Sequence, residues 1–191
     1  MSEQQTVQNQ NTKQEKPNVD PQSMEQSRRS PDVLLYSDLY KNAMMGADSC
    51  AKMIAKVGAA AESQAPCDDG KLKKAENCTA LRSEITKMME GYSRYAKDAA
   101  KALNDLQVPP EQLSALDKLP ADIGMTMQTM FDKSVSKCAE IMINGVTMGI
   151  IDMKKAQRVC SEDGCSAEAY RMAGDLIGFC EMHVENLKEY L

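Results

Sequence analysis

Three observations predict an all-α fold: an up-down-up-down four-helix bundle behind a polar N-terminal tail. Apolar residues make up 42% of the 191-residue chain but aromatics only 4%, with two Phe and no Trp. Ala, Leu, Met and Ile must therefore build the core, a palette suited to helices, since strands favour β-branched and aromatic residues. Apolar positions also recur at helical spacing in four segments, and Pro-, Gly- and Asp-rich stretches separate them. The length suits one well-buried domain, so the chain divides into a tail over 1–30 and a bundle over 31–191.

The tail is rich in Gln, Asn, Ser, Glu and Lys. It cannot bury enough apolar area to offset its ordering entropy and is expected to be disordered. Ser30-Pro31-Asp32 then opens the first helix with a capping hydroxyl, a proline at the first helical position and an acid near the positive dipole end. This helix is expected over about 32–61, with Tyr36, Tyr40, Met44, Ala47, Ala51, Ile54 and Gly58 inward. Residues 65–70 read as a loop. The second helix starts between Lys71 and Thr79 and ends near Leu106, with an inward stripe of Leu81, Ile85, Met88, Tyr92, Tyr95, Ala99, Ala102 and Leu106. Val108-Pro109-Pro110 stops it, because proline lacks a donor and clashes with the preceding turn.

A short helix is expected over about 111–117. Pro120 is expected in the first turn of a third long helix reaching about Val159, with Met127, Phe131, Cys138, Ile141, Gly145 and Met148 inward. Gly145 and Gly149 each cost on the order of 1 kcal/mol against alanine in a helix, so they predict close approach of a neighbouring helix. Ser161-Glu162-Asp163-Gly164-Cys165 is a turn, and Ser166 caps a fourth helix burying Ala169, Ala173, Leu176, Cys180, Val184, Leu187 and Leu191. Short first and third connections around a longer second one complete the bundle.

Charge and hydropathy exclude some functions. A formal charge of -5 with no basic run argues against nucleic-acid binding, which needs surplus Lys and Arg to displace counterions. No apolar stretch approaches the ~20 residues of a membrane span, and 1–15 lacks the apolar core of a secretory signal. A cytoplasmic location is expected, in which the seven cysteines would be mostly reduced.

The stretches Leu39-Tyr40-Lys41-Asn42-Ala43-Met44-Met45-Gly46-Ala47-Asp48, Met148-Gly149-Ile150-Ile151-Asp152 and Asn186-Leu187-Lys188-Glu189-Tyr190-Leu191 resemble bacterial ferritin-like four-helix proteins of unknown function. The resemblance covers about 33–191 and implies a fold more than an activity. Ferritin-like iron sites take a Glu from each of two helices and a Glu-x-x-His from each of the other two. Here Glu84 is followed three residues on by Lys87, Glu140 by Ile143 and Glu181 by Val184, and the chain has one histidine. A complete di-iron site is therefore not expected.

The cysteines form the main candidate site. In an up-down-up-down bundle the first and third connections share one end, which gathers Cys67, Cys78, Cys160 and Cys165. Four thiolates would hold a tetrahedral zinc; alternatively, Cys160 and Cys165 would close a reversible disulfide. Neither spacing is the usual Cys-x-x-Cys pair, so the plain alternative is that these cysteines are unremarkable small residues. A second grouping sits mid-bundle: Cys50, Glu84, Asn144 and His183, with Asp48 and Cys180 within a turn. Its Cys50, Glu84, Cys180 and His183 would make a metal pocket, or His183 would simply be a buried histidine bonded to a carboxylate or carbonyl.

Fifteen methionines raise copper, since soft thioether and thiolate ligands select Cu(I), and Cys50 with Met53 or Cys138 with Met142 share helix faces. Methionine on a core stripe is also an ordinary filler. No phosphate loop, dinucleotide fingerprint or oxyanion arrangement is present. The first expectation is a non-enzymatic structural or interaction protein, with a protein partner or a second copy as its partner, and no nucleic acid or membrane. The alternative is a metal- or redox-responsive binding protein using clustered cysteines.

Overall fold

The computed structural model describes residues 30–62, 69–110 and 134–191, with side chains apart from those of 58–62 and 69–75. Four helices account for nearly all of these: α1 (Pro31–Glu62), α2 (Asp69–Asp105), α3 (Val135–Glu162) and α4 (Ala167–Lys188). No strand occurs among the described residues. The tail, Cys67 and the short helix expected over 111–117 lie outside them.

The helix ends obey their local chemistry. Ser30 Oγ accepts from the Val33 N–H at 3.2 Å, and Ser166 Oγ does the same for Ala169, so both hydroxyl caps read from the sequence are in place. Past Asp105 the chain turns through Gln107 at φ 60 before Pro109-Pro110. The third helix starts later than the sequence suggests. Ser134 is extended and its hydroxyl accepts from the Lys137 N–H, so α3 begins at Val135, not near Pro120.

Contacts fix the direction of each helix. At the start of α1, Asp32 Oδ1 accepts from the Ser166 N–H at 2.7 Å, and Asn42 further along donates to the Gly149 carbonyl at 3.1 Å. α1 and α3 are therefore antiparallel. Tyr92 with Cys180 and Glu84 with His183 set α2 and α4 antiparallel. Each hairpin alternates as expected, but the order is up, down, down, up rather than up-down-up-down. The connection 106–134 accordingly joins opposite ends of the bundle. The α3–α4 turn meets the start of α1, so it lies at the end opposite the α1–α2 loop.

The core is aliphatic and thioether-rich, with Leu35, Leu39, Met53, Leu81, Ile85, Met88, Leu103, Met153, Leu176 and Leu187 fully buried. The inward face of α1 runs through Tyr36, Leu39, Ala43, Cys50, Met53 and Val57. Tyr40, Met44, Ala47 and Ile54 sit only at its flank, and Ala51 is exposed. Both stripes obey helical spacing, so periodicity alone does not choose between them. Met148, Leu106 and Leu191, expected inside, are also exposed.

Candidate functional site

Two polar features stand out in this apolar frame: a closed network between α2 and α4, and an open groove between α1 and α3. The network is built on Glu84 and His183, the two buried polar residues of the described core, 7% and 4% exposed. His183 Nδ1 and Glu84 Oε1 are 2.7 Å apart, and the Asn186 amide donates to the same oxygen at 2.7 Å. Lys87 Nζ lies 3.6 Å from Oε2. Burial works to raise the Glu84 pKa, but hydrogen bonds from Asn186 and His183 and the nearby positive charges outweigh it, holding the carboxyl below its ordinary value.

Aromatic rings wall the network. Phe179 meets His183 edge-on with centroids 4.4 Å apart, and Tyr92 edge-on at 5.4 Å. Gly91 makes room for Phe179, since a Cβ there would overlap its ring. Tyr92 Oη and Cys180 Sγ are 3.2 Å apart. Burial raises the Tyr92 pKa well above normal, pushes the Cys180 thiol up to about 11 and, with a smaller contribution from Cys180, pushes Cys50 up to about 12. Such thiols are held neutral and unreactive.

The groove is a cavity of about 300 Å³. α1 supplies Asp38, Lys41, Asn42, Met45 and Ser49; α3 supplies Met142, Val146, Asp152 and Met153; and the Tyr92 ring reaches it from α2. A Cβ at Gly46 would lie 2.7 Å from that ring, so the glycine admits it. Gly145, expected to be a close-contact position, has nothing within 4 Å of where a Cβ would stand. Gly149 does serve close approach, because its carbonyl takes the Asn42 amide and a Cβ would stand 3.2 Å from that nitrogen. Partial burial raises the Asp38 pKa; Lys41 opposes this and the Asp152 charge adds to it.

The candidate ligands fall out differently from the expectation. Cys160 and Cys165 are joined by a disulfide, the alternative pairing. Cys78 is buried on α2 towards the other end, so it does not join them. Helix direction is the reason: the thiol cluster depended on two loops sharing an end. Mid-bundle, Glu84 and His183 meet, whereas Cys180 pairs with Tyr92 and Asn144 is exposed. Asp48 forms an ion pair with Lys52 at 2.5 Å.

Among the described residues, one set of three His, Cys, Asp or Glu ligand atoms lies mutually within 4.8 Å: Asp32, Cys160 and Cys165. Asp32 was missed as a ligand because the sequence assigned it only to a helix dipole. Its proximity to the cysteines is tertiary. No helix among the described residues is long and apolar enough to cross a membrane. No protein-family model, curated protein or solved structure matches the chain.

Proposed function

We propose that this chain is a non-enzymatic interaction protein with ferritin-like topology and no complete di-iron site, and that it binds its partner molecule in the α1–α3 groove. One observation carries the first part: the chain's one histidine is spent inside the protein. His183 and Asn186 both bond Glu84 Oε1, and Lys87 occupies the i+3 position where a Glu-x-x-His ligand would stand. The donor set does not fit two iron ions, which require two such imidazoles. The ferritin-like likeness is supported by the helix directions and the long crossover, the connectivity those bundles use.

The groove supports the binding half of the reading. Thioethers and aliphatic side chains line it with two carboxylates, Asp38 and Asp152, and one amine, Lys41; Asp152 is also paired at 3.3 Å with the exposed Lys155, a weak surface pair that a cationic ligand could displace. That combination suits a small ligand with an apolar body and one cationic end. Anaerobic addition of ferrous iron followed by air tests the first part. The full chain should show no iron oxidation above the protein-free rate and an unchanged melting temperature. Accelerated oxidation or a clear rise in Tm would overturn the reading.

A further inference from the structure

The α3–α4 turn carries chemistry that neither the groove nor the buried network uses. Its disulfide closes a short loop in which Gly164 adopts φ 81 and the Cys165 N–H donates to the Cys160 carbonyl at 3.0 Å. The turn is seated on the first turn of α1. Cys160 Sγ lies 3.6 Å from the Pro31 carbonyl oxygen, and the Ser166 N–H holds Asp32 Oδ1 at 2.7 Å. A carboxylate oxygen of Asp32 and both sulfurs lie within 4.8 Å of one another.

We propose that Asp32, Cys160 and Cys165 form a redox-gated binding site for a zinc-type divalent cation, closed as the disulfide and opened by reduction. In the first step a dithiol reductant gives two electrons and two protons to the Cys160–Cys165 bond. The S–S bond breaks, two thiols form, and the reductant leaves as its own disulfide. In the second step the cation displaces two protons from the thiols, and two thiolates with the Asp32 carboxylate bind it; water fills the fourth tetrahedral position. Bonds of about 2.3 Å to sulfur and 2.0–2.2 Å to oxygen require the sulfurs to separate once the bond is broken. Two sulfurs and one carboxylate suit zinc and disfavour magnesium or calcium, which take oxygen ligands alone.

Helix ends act on this anionic set from both sides: the first turns of α1 and α4 adjoin it with their positive ends, while the last turn of α3, which carries Cys160, adjoins it with its negative end. The two states also differ mechanically. The disulfide ties the turn only to itself, whereas a bound cation would tie α3 and α4 to α1 through Asp32. The redox state of one turn would thereby set how firmly the second hairpin is held to the first helix.

Cobalt(II), a spectroscopic stand-in for zinc, tests the site on the full chain. After reduction with dithiothreitol and anaerobic desalting, one equivalent should bind with sulfur-to-cobalt charge-transfer absorption, and added zinc should abolish that absorption. The oxidised chain should show none. Cys160→Ser should remove the signal, Cys78→Ser should retain it, and Asp32→Asn should weaken binding by at least about tenfold. Equal binding by oxidised and reduced protein, a retained signal in Cys160→Ser, or an unchanged affinity in Asp32→Asn would overturn the proposal. Parent protein supplies the readout if a variant fails to fold: zinc should protect Cys160 and Cys165 of the reduced chain from alkylation, and labelling at the apo rate would overturn the site.

Discussion

The α2–α4 and α1–α3 interfaces are both antiparallel helix pairs with glycines at their seams, yet one is filled and the other is open. At Gly91 the missing side chain is replaced by the Phe179 ring, which meets Tyr92 and His183 edge-on beside the Glu84 network. At Gly145 nothing takes the vacant place, and a cavity of about 300 Å³ results. A glycine on an inward stripe therefore reports a missing Cβ, not what replaces it. That depends on whether the facing helix carries an aromatic ring at the same level. The filled interface should control stability, and the open one should tolerate change.

The largest expected effect is at the centre of the filled interface. His183→Ala removes a partner of a buried carboxylate and an edge-on ring contact with Phe179. Leaving a buried group short of a hydrogen-bond partner costs about 1–3 kcal/mol, more for a charged one, so with Asn186 and Lys87 still in place a loss of about 3 kcal/mol is expected. Denaturant unfolding measures it; a loss below about 1 kcal/mol would show that the network does not support the bundle. Next in size, Gly91→Leu should destabilise by about 1–3 kcal/mol through overpacking against Phe179. Parent-like unfolding would mean that the ring swings aside freely.

The same network has a pH signature. The folded pKa of Glu84 is depressed. Its contribution is therefore present above the unfolded carboxylate pKa and lost as the pH falls through the folded value. As the pH falls through the acidic carboxylate range, the parent should lose stability more steeply than Glu84→Gln. Equal slopes would remove Glu84 as the titrating group.

The smallest expected effect is on the other side. With open space in front of Gly145, Gly145→Leu should stay within about 0.5 kcal/mol of the parent, and Gly145→Ala should gain up to about 1 kcal/mol from helix propensity. The same Leu variant should reduce binding of a cationic amphiphilic dye that the parent takes up. A stable variant with undiminished dye binding would locate the ligand outside the groove.

Much of the fold was legible because its signals are local. Ser30-Pro31-Asp32 and Ser166 start helices where they should, Pro109-Pro110 stops one, and Cys50, Cys138 and Cys180 fall inside. Less of the candidate site could be read. His183 was expected on the inner face of α4 and lies there, with Glu84 as its partner at 2.7 Å. The α1 stripe was misplaced by about one residue beyond Tyr36 because Tyr40 and Leu39, or Met44 and Ala43, satisfy helical spacing equally well.

The sequence by itself determined that this protein is helical, where most helix ends fall and that its single histidine cannot serve a two-histidine iron site. These follow from backbone propensity, capping hydroxyls and residue count, each set within a few positions of the chain or by composition alone. Only the tertiary structure decided which loops share an end. Because α3 runs against α1, Cys160 and Cys165 meet Asp32 rather than Cys78. Helix direction depends on how two hairpins pack across a long connection, and no local pattern in either hairpin encodes that choice.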